Sequence, residues 1–166
     1  MTRHERLFGA GPRGLAIGYV LLALAWRLES VVGLPRITGV AWTRSCALVM
    51  GVVGAIGLAG WGLRSLPPGQ RGVDLVTTGA YKYLRHPVYA SLLSSFHFGL
   101  AVWLNNWIYV VWAVLVHVFW HWNIRSEESL MVQTFGEQYT EYCKRTGRFF
   151  PRLWASRSSD ETPRAK

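Results

Sequence analysis

The chain has 166 residues, of which 51% are hydrophobic and only 16% are charged. Soluble domains carry about 25% charged residues, and residues 87–124 of this chain contain no Asp, Glu, Lys or Arg. This apolar content excludes a disordered chain and a soluble globular fold. The net charge is +9, but the sequence contains no nucleic-acid recognition motif. We therefore exclude nucleic acid as the partner. The length predicts a single domain.

Four apolar segments predict membrane-spanning helices, because about 20 apolar residues cross the hydrocarbon core of a bilayer. The first, residues 14–34, is interrupted by Arg27 and Glu29, so we expect Arg27 to reach the interface or the helix to be tilted or partly re-entrant. The second covers residues 45–63. The long uncharged stretch divides at Asn105-Asn106 into a tight hairpin of two helices, residues 88–104 and 107–123.

Small residues recur every four positions along the second segment, at Ala47, Gly51, Ala55 and Ala59. Gly54, Leu58 and Gly62 form a neighbouring stripe. In lipid, small residues at this spacing allow another helix to approach closely. We therefore expect this helix to pack on more than one side.

The basic residues indicate the orientation. With both termini in the cytoplasm, 15 Lys and Arg lie inside, and Arg27, Arg36 and Arg44 lie outside, in agreement with the positive-inside rule. Tryptophans are expected at both interfaces. The outer belt then contains Trp26, Trp42, Trp103 and Trp107, and the inner belt contains Trp61, Trp120 and Trp122.

The segment after the fourth span predicts one membrane-proximal C-terminal helix. Its apolar stripe is Met131, Phe135, Tyr139 and Tyr142, and the expected C-cap is Gly147. Residues 155–166 are polar and predict a disordered tail. The fold class is thus an all-α integral membrane protein with about four transmembrane helices and a cytoplasmic loop, and its single domain covers residues 1–154.

The cytoplasmic loop, residues 66–88, ends in Arg85-His86-Pro87. Proline is favoured in the first turn of a helix, so this motif lies at the cytoplasmic mouth of the third span. An arginine, a histidine and the free N–H groups of a helix start can together bind a carboxylate or phosphate. The alternative is that Arg85 and Lys82 only anchor the loop at the interface.

Glu127 and Glu128 directly follow the fourth span. They can act as first-turn acids stabilised by the helix dipole, with Ser126 as the N-cap. A functional role requires a cation, an amine or a ribose diol at the cytoplasmic face. Adjacent residues on a helix point about 100° apart, so only one of the two can face a given pocket.

Three histidines lie within the spans: His97, His117 and His121. The i, i+4 spacing of the last two suits a metal or axial haem ligation, and intramembrane ionisable groups are functional candidates. A bis-histidine haem protein that uses His97 with His117 or His121 is therefore an alternative. Hydrogen bonding between helices is the simpler explanation.

Residues 75–89, Leu-Val-Thr-Thr-Gly-Ala-Tyr-Lys-Tyr-Leu-Arg-His-Pro-Val-Tyr, closely resemble the signature of the isoprenylcysteine carboxyl methyltransferase family and its phospholipid methyltransferase relatives. Two more spans, the acidic pair, residues 135–142 (Phe-Gly-Glu-Gln-Tyr-Thr-Glu-Tyr) and residues 148–151 (Arg-Phe-Phe-Pro) follow in the family's order. The resemblance covers nearly half of the chain. One departure is Ser91, where family members often have glycine, so we expect looser packing there.

This resemblance implies an S-adenosylmethionine-dependent methyltransferase with no metal. It implies catalytic roles for Arg85, Tyr89 and Glu128. The implied cofactor-binding residues are Gly79, Tyr81, Tyr83, Arg85, His86, Pro87, Tyr89, Glu127 and Glu128.

The same resemblance implies that a lipophilic methyl acceptor, such as an isoprenylcysteine-like carboxylate or a lipid amine or thiol, enters from the bilayer among the membrane lipids. We expect the protein in a bacterial inner membrane, with both termini cytoplasmic. A non-catalytic scaffold, with the glycine stripe as its oligomer interface, remains an alternative.

Overall fold

The computed structural model describes residues 10–66 and 74–152. Within these ranges the chain is helical apart from turns and one isolated parallel bridge. The predicted tail, residues 155–166, and the first nine residues lie outside the described part. The helices are α1 (Gly11–Val32), α2 (Ala41–Arg64), α3 (Pro87–Leu104), α4 (Trp107–Asn123), α5 (Arg125–Phe135) and α6 (Glu137–Arg145), with a 3-10 helix at Gly79–Lys82 before α3.

Four segments of the described chain are long and apolar enough to cross a membrane: α1, α2, α3 and α4 continued into α5. The predicted all-α membrane fold with four spans is therefore confirmed. The first segment is one unbroken helix that ends at Gly33 in the left-handed region, φ 64°. Arg27 is exposed on that helix, as expected of a side chain that reaches the interface.

Helix α1 packs against α4 through two tryptophans of α4. The Nε1–H of Trp112 donates to the carbonyl of Gly18 at 3.0 Å. Trp120 occupies the space beside Gly14, where a Cβ would lie 2.3 Å from its ring. Only 2% of Trp120 is exposed, so its predicted place in the inner aromatic belt is wrong. Apolar composition does not distinguish a lipid-facing ring from one buried between helices.

Helix α2 crosses α3 at glycines on both helices. A Cβ added at Gly51 would lie 3.0 Å from the Cα of Gly99, and one added at Gly99 would lie 2.7 Å from the carbonyl oxygen of Ala47. The backbones therefore touch, which is how small residues bring helices together in lipid. Gly62 meets α3 at Pro87, whose ring would be 3.0 Å from a Cβ there. The predicted stripe is confirmed as a helix-packing surface, but the expectation that α2 packs on more than one side is wrong, because its main contacts within the described chain are with α3 and the 3-10 helix before α3.

The hairpin between α3 and α4 turns at the two asparagines. Asn105 adopts φ 61°, a conformation that asparagine tolerates better than most residues. The side chain of Asn106 caps α4 by accepting the N–H of Ile108 at 3.0 Å. The predicted break in the uncharged stretch is therefore confirmed.

Polar residues at the ends of the spans opposite the Arg85-His86-Pro87 motif are bonded across helices. Tyr109 Oη donates to Glu29 at 2.6 Å, which accounts for an acid inside α1. Arg44 donates to the carbonyl of Trp103 through Nε at 2.9 Å and Nη2 at 2.7 Å. The charged groups of Glu29 and Arg44 thus each have a hydrogen-bond partner on a neighbouring helix.

Part of α3, Ser91–Phe96, is a π-helical segment. The expectation of loose packing at its first residue is wrong, because Ser91 is only 1% exposed. Its hydroxyl donates to the carbonyl of Val88 at 2.7 Å. A polar side chain is tolerated at this buried position because it bonds its own helix.

The region after α4 forms two helices where one was predicted. Gly136 adopts φ 55° and separates α5 from α6, so the stripe from Met131 to Tyr142 does not lie on one continuous helix. Ser126 is not the N-cap of α5; its hydroxyl donates to the carbonyl of Asn123 at 3.3 Å. Gly147 is not the C-cap of α6, since that position is Thr146.

The α2–α3 crossing predicts opposite effects for two alanine substitutions on α2. Gly51→Ala places a Cβ 2.9 Å from the carbonyl oxygen of Ser95 and should destabilise the fold by about 1–3 kcal/mol through overpacking. Gly57→Ala is the matched control, because nothing lies within 4 Å of its Cβ, and helix propensity favours alanine by about 1 kcal/mol. Thermal unfolding in detergent measures both, and equal shifts in Tm would contradict the described crossing.

Candidate functional site

The loop before α3 is held against the end of α2. Gly79 adopts φ 59°, and a Cβ there would lie 2.2 Å from Ser65 Oγ. The same Oγ accepts the N–H of Ala80 at 3.0 Å. Glycine is therefore required at this turn for both its conformation and its lack of a side chain. The turn directs the chain through the 3-10 helix towards the start of α3.

The segment after α6 pairs with the end of this loop. The N–H of Arg85 donates to the carbonyl of Gly147 at 2.8 Å, and the N–H of His86 donates to the carbonyl of Arg148 at 3.2 Å. The N–H of Gly147 donates in return to the carbonyl of Tyr83 at 3.3 Å. These backbone bonds bring Arg148 beside the Arg85-His86-Pro87 motif.

Glu128 lies at the centre of the ionic contacts that result. Its Oε1 accepts from Arg85 Nε at 2.9 Å and from Arg148 Nε at 3.1 Å, and its Oε2 accepts from Arg148 Nη2. His86 Nε2 is buried 3.4 Å from Oε1. The side chain of Glu128 is only 13% exposed. We call Arg85, His86, Glu128 and Arg148 the ion cluster.

The two arginines of the ion cluster are further anchored by backbone carbonyls. Arg85 Nη1 donates to Cys143, at 3.2 Å, and to Thr146. Arg148 Nη1 donates to the carbonyl of His121 at 3.0 Å. Two guanidinium groups share one carboxylate, so the cluster has a net positive charge. It joins the loop, α4, α5, α6 and the segment after α6.

Glu127 points away from its neighbour, as the 100° step of a helix requires. Its Oε1 accepts from Tyr89 Oη at 3.1 Å and from the N–H of Ala10. Its Oε2 accepts no hydrogen bond from the described residues. Glu127 therefore joins the starts of α1 and α3 and retains an unused acceptor.

Aromatic rings in mutual contact lie beside the two acids. His86 stacks near Tyr89, with ring centroids 5.9 Å apart, and Tyr89 meets Trp120 at 4.6 Å. Phe149 lies 6.0 Å from His86 and is only 2% exposed. We call His86, Tyr89, Trp120 and Phe149 the aromatic wall.

Helix α6 is held against the loop by its tyrosines. Tyr142 Oη donates to the carbonyl of Tyr81 at 2.6 Å. Burial raises the pKa of both Tyr139 and Tyr142 above the ordinary value, so both phenols remain protonated near neutral pH. Tyr142 therefore acts as a hydrogen-bond donor that fixes α6 in place.

The structure brings Arg85, His86, Tyr89, Glu127 and Glu128 together, all of which were predicted from the sequence. Tyr83 lies apart from them: its ring is about half exposed and packs on Trp61 at 5.9 Å. The other predicted residues, Gly79, Tyr81 and Pro87, have the backbone and packing contacts described above.

Three residues of the site were missed by the sequence analysis: Arg148, Phe149 and Trp120. The Arg-Phe-Phe-Pro block at residues 148–151 contains the first two, and its place in the family's order could have indicated that they belong to the site. Nothing in the sequence distinguished Trp120 from the tryptophans of the interface.

His117 and His121 lie beside the site, with ring centroids 5.2 Å apart. Arg148 Nη1 lies 3.4 Å from His121 Nδ1, a position that disfavours a metal ion on that nitrogen. Among the described residues there is no group of three or more His, Cys, Asp or Glu side chains arranged to hold a metal. No comparison supports the haem alternative.

Comparison with known proteins matches residues 34–138 to the phospholipid methyltransferase family. The chain is 32% identical to the nickel-cobalt-cadmium resistance protein NccN of Alcaligenes xylosoxydans xylosoxydans, over 80% of this chain and 66% of that protein. It is 33% identical to protein-S-isoprenylcysteine O-methyltransferase A of Arabidopsis thaliana, over 75% of this chain and 68% of that protein. It is also 42% identical to the B form of that enzyme, over 43% of this chain and 36% of that protein.

The chain thus spans between about one third and two thirds of the length of these relatives. The family match contains α2, α3, α4, α5 and the Arg85-His86-Pro87 motif, and it includes both acids of the site. The resemblance first noted in the motif therefore extends over most of the membrane domain. This chain is a member of the phospholipid methyltransferase family, with similarity to the protein-S-isoprenylcysteine O-methyltransferases.

Proposed function

We propose that this protein is an integral membrane methyltransferase that transfers the methyl group of S-adenosylmethionine to a lipophilic acceptor. The observation that carries the proposal is the juxtaposition of three features at one end of the helix bundle: the positive ion cluster, the free oxygen of Glu127 and the aromatic wall. Family membership supports the same reaction class. A lipophilic acceptor follows from the position of this site beside the spans.

The donor groups fit the carboxylate of S-adenosylmethionine. The ion cluster has a net positive charge, and Nη2 of Arg85 donates to none of the described residues. Two hydrogen bonds from Nη1 of Arg85 to backbone carbonyls fix the orientation of the guanidinium group, and therefore the direction of Nη2. A preoriented guanidinium N–H is a strong donor to a carboxylate. We assign Arg85 as the residue that binds the cofactor carboxylate.

Glu127 fits the ammonium group or the ribose diol of the same cofactor. Its Oε1 is occupied by Tyr89 and Ala10, which orient the carboxylate and leave Oε2 for a ligand. Glu128 has little such capacity, since two arginines already bind it. We therefore assign Glu127 to ligand binding and Glu128 to positioning Arg85.

The aromatic wall fits the two remaining parts of the cofactor. Aromatic faces pack against a flat adenine ring, and they attract a cation through the negative charge of their π-system. The hydroxyl of Tyr89 bonds Glu127, and the half-buried ring of Tyr89 lies 4.6 Å from the buried ring of Trp120. We place the sulfonium near these two rings.

When bound, S-adenosylmethionine supplies an electrophilic methyl group on a positively charged sulfur. Arg85 would hold its carboxylate, Glu127 would hold its ammonium or ribose group, and Tyr89 and Trp120 would lie near its sulfonium, so that the methyl group could be passed to the acceptor. A carboxylate acceptor needs no proton transfer, whereas an amine or thiol must first be deprotonated. The protein's contribution is alignment and exclusion of water, which the buried wall and the ion cluster provide.

Orientation in the membrane follows from the basic residues together with the position of the site. We propose that both termini and the site face the cytoplasm, the side on which the cofactor is available, in a bacterial inner membrane.

Cofactor binding tests the role assigned to Glu127. Glu127→Gln should weaken the affinity for S-adenosylhomocysteine about tenfold or more, because a bond to a charged group contributes about 1.5–3 kcal/mol. Its Tm should change little, since a first-turn charge contributes about 1 kcal/mol or less. Calorimetry on detergent-solubilised protein measures the affinity. Glu137→Gln, at the exposed start of α6, is the control; equal affinities for both variants would refute the assignment of Glu127.

Arg85→Lys tests whether the geometry of the guanidinium matters. Lysine keeps the charge but lacks the planar fork in which Nε bonds Glu128 while Nη1 bonds two carbonyls, so we expect a loss of about 1–3 kcal/mol in stability and weaker binding of S-adenosylhomocysteine. Arg145→Lys, an exposed arginine in the last turn of α6, is the matched control and should be neutral. A lipid anchor would tolerate lysine in both places, so unchanged binding in Arg85→Lys would return the motif to an anchoring role.

Topology is measured by cysteine labelling in intact cells and in inverted vesicles. With the native cysteines replaced, a single cysteine at Glu137 should react with a membrane-impermeant maleimide only in the inverted vesicles. A cysteine at Gly39, between α1 and α2, should react in cells when the outer membrane is permeabilised. The reverse pattern would overturn the proposed orientation.

A further inference from the structure

A narrow cleft opens between α1, α3 and α4 within the membrane-spanning part. It is lined by α1 from Gly14 to Leu22, by α3 from Leu92 to Leu100 and by two tryptophans of α4. Its walls are mostly apolar, and its enclosed volume is about 50 Å³, which admits a few non-hydrogen atoms. A cleft of this size accepts a short stretch of a single chain, and the rest of that chain remains in the bilayer.

The cleft adjoins the proposed methyltransferase site at Trp120. Trp120 forms one end of the cleft and also belongs to the aromatic wall, where it contacts Tyr89 at 4.6 Å. Tyr89 in turn donates to Glu127. A molecule that lies in the cleft therefore has one end close to the position assigned to the sulfonium.

One strongly polar side chain interrupts the apolar lining. His97 is 9% exposed, and its buried Nδ1 has no hydrogen-bond partner in the described part of the chain. Its ring lies 4.9 Å from that of Trp112, at the opposite end of the cleft from Trp120. Buried polar atoms without partners are rare and unfavourable, so a ligand that reached this nitrogen from the cleft would supply a missing hydrogen bond.

The backbone next to His97 is also unusual. The π-helical segment Ser91–Phe96 ends directly before it, and the N–H of His97 bonds to the carbonyl of Leu92, five residues earlier. Short π-helical segments occur frequently at functional sites. Here the segment sets the direction in which the imidazole leaves α3 beside the cleft.

We propose that the cleft binds the apolar chain of the methyl acceptor and that His97 hydrogen-bonds a polar group carried partway along that chain. This inference rests on the proposed methyltransferase function. Trp112 and Trp120 are separated by eight residues of α4, which is about 12 Å along the helix. The acceptor class is therefore a single-chain lipid with a hydroxyl or carbonyl group about 12 Å from the methylated end. A purely hydrocarbon chain leaves His97 unpaired and binds less well.

Competition between two fatty acids tests this inference without methyl transfer. The probes are 12-hydroxyoctadecanoic acid and octadecanoic acid, in which the carboxylate stands for the reactive end and the hydroxyl lies near the middle of the chain. Native mass spectrometry of the intact protein in detergent, with both acids at equal concentration, gives the ratio of the bound forms. The wild type should favour the hydroxy acid about five- to tenfold, the effect of one hydrogen bond.

Three variants assign the preference to His97. His97→Leu should bring the ratio close to one, and His97→Gln, which keeps a hydrogen-bonding group, should restore part of the preference. His117→Leu is the matched control, since both ring nitrogens of His117 are also buried without partners among the described residues, but His117 does not line the cleft; this variant should keep the wild-type ratio.

A wild-type ratio close to one, or a preference that survives in His97→Leu, would overturn the inference. The wild-type measurement alone is decisive if His97→Leu does not fold. Binding of S-adenosylhomocysteine, measured on the same preparation, separates the two proposals. A protein that binds this compound but shows no preference retains the methyltransferase function and loses only the inference about its acceptor.

Discussion

The carboxylate of Glu128, shared between Arg85 and Arg148, is the interaction on which the rest of the site depends. The three side chains come from α5, from the loop before α3 and from the segment after α6. A buried charge that loses its partner costs about 3–5 kcal/mol, so each member of this group requires the others. Backbone pairing between residues 83–86 and 147–148 reinforces the same junction. The end of the helix bundle that carries the site is thereby held together by contacts from three separate segments.

This arrangement divides the work between two adjacent acids. Glu128 is bound by Arg85 and Arg148, whereas Glu127 bonds Tyr89 and Ala10 through one oxygen. The difference arises because consecutive helical residues point in different directions. Under the proposed function, a pair that looks equivalent in the sequence would therefore supply one positioning residue and one binding residue.

The packing of the spanning helices shapes the cleft beside the site. Close packing at the glycines of α2 and α3 fixes α3, and α1 is fixed on α4 by Trp112 and Trp120. Between these two contacts lies the cleft that contains His97. In lipid, backbone polar groups must be satisfied within the protein. The chemistry that a cleft offers to a ligand therefore depends on its side chains. In this cleft, His97 places an imidazole among mostly apolar residues.

Sequence alone determined the features that depend on local chemistry: the four spans from apolar length, the turn at Asn105-Asn106, the start of α3 at Pro87, and the residue types of the site motif. Gly136 could have been recognised as a break, but the apolar stripe across it favoured one helix. Only the tertiary structure decided that Trp120 is buried, that Arg148 belongs to the site and that the two acids have different partners. Those outcomes depend on contacts between residues far apart in the chain, such as Arg85 and Glu128. Apolar composition cannot anticipate them, because in a bilayer the lipid-facing and the buried surfaces of a helix are both apolar.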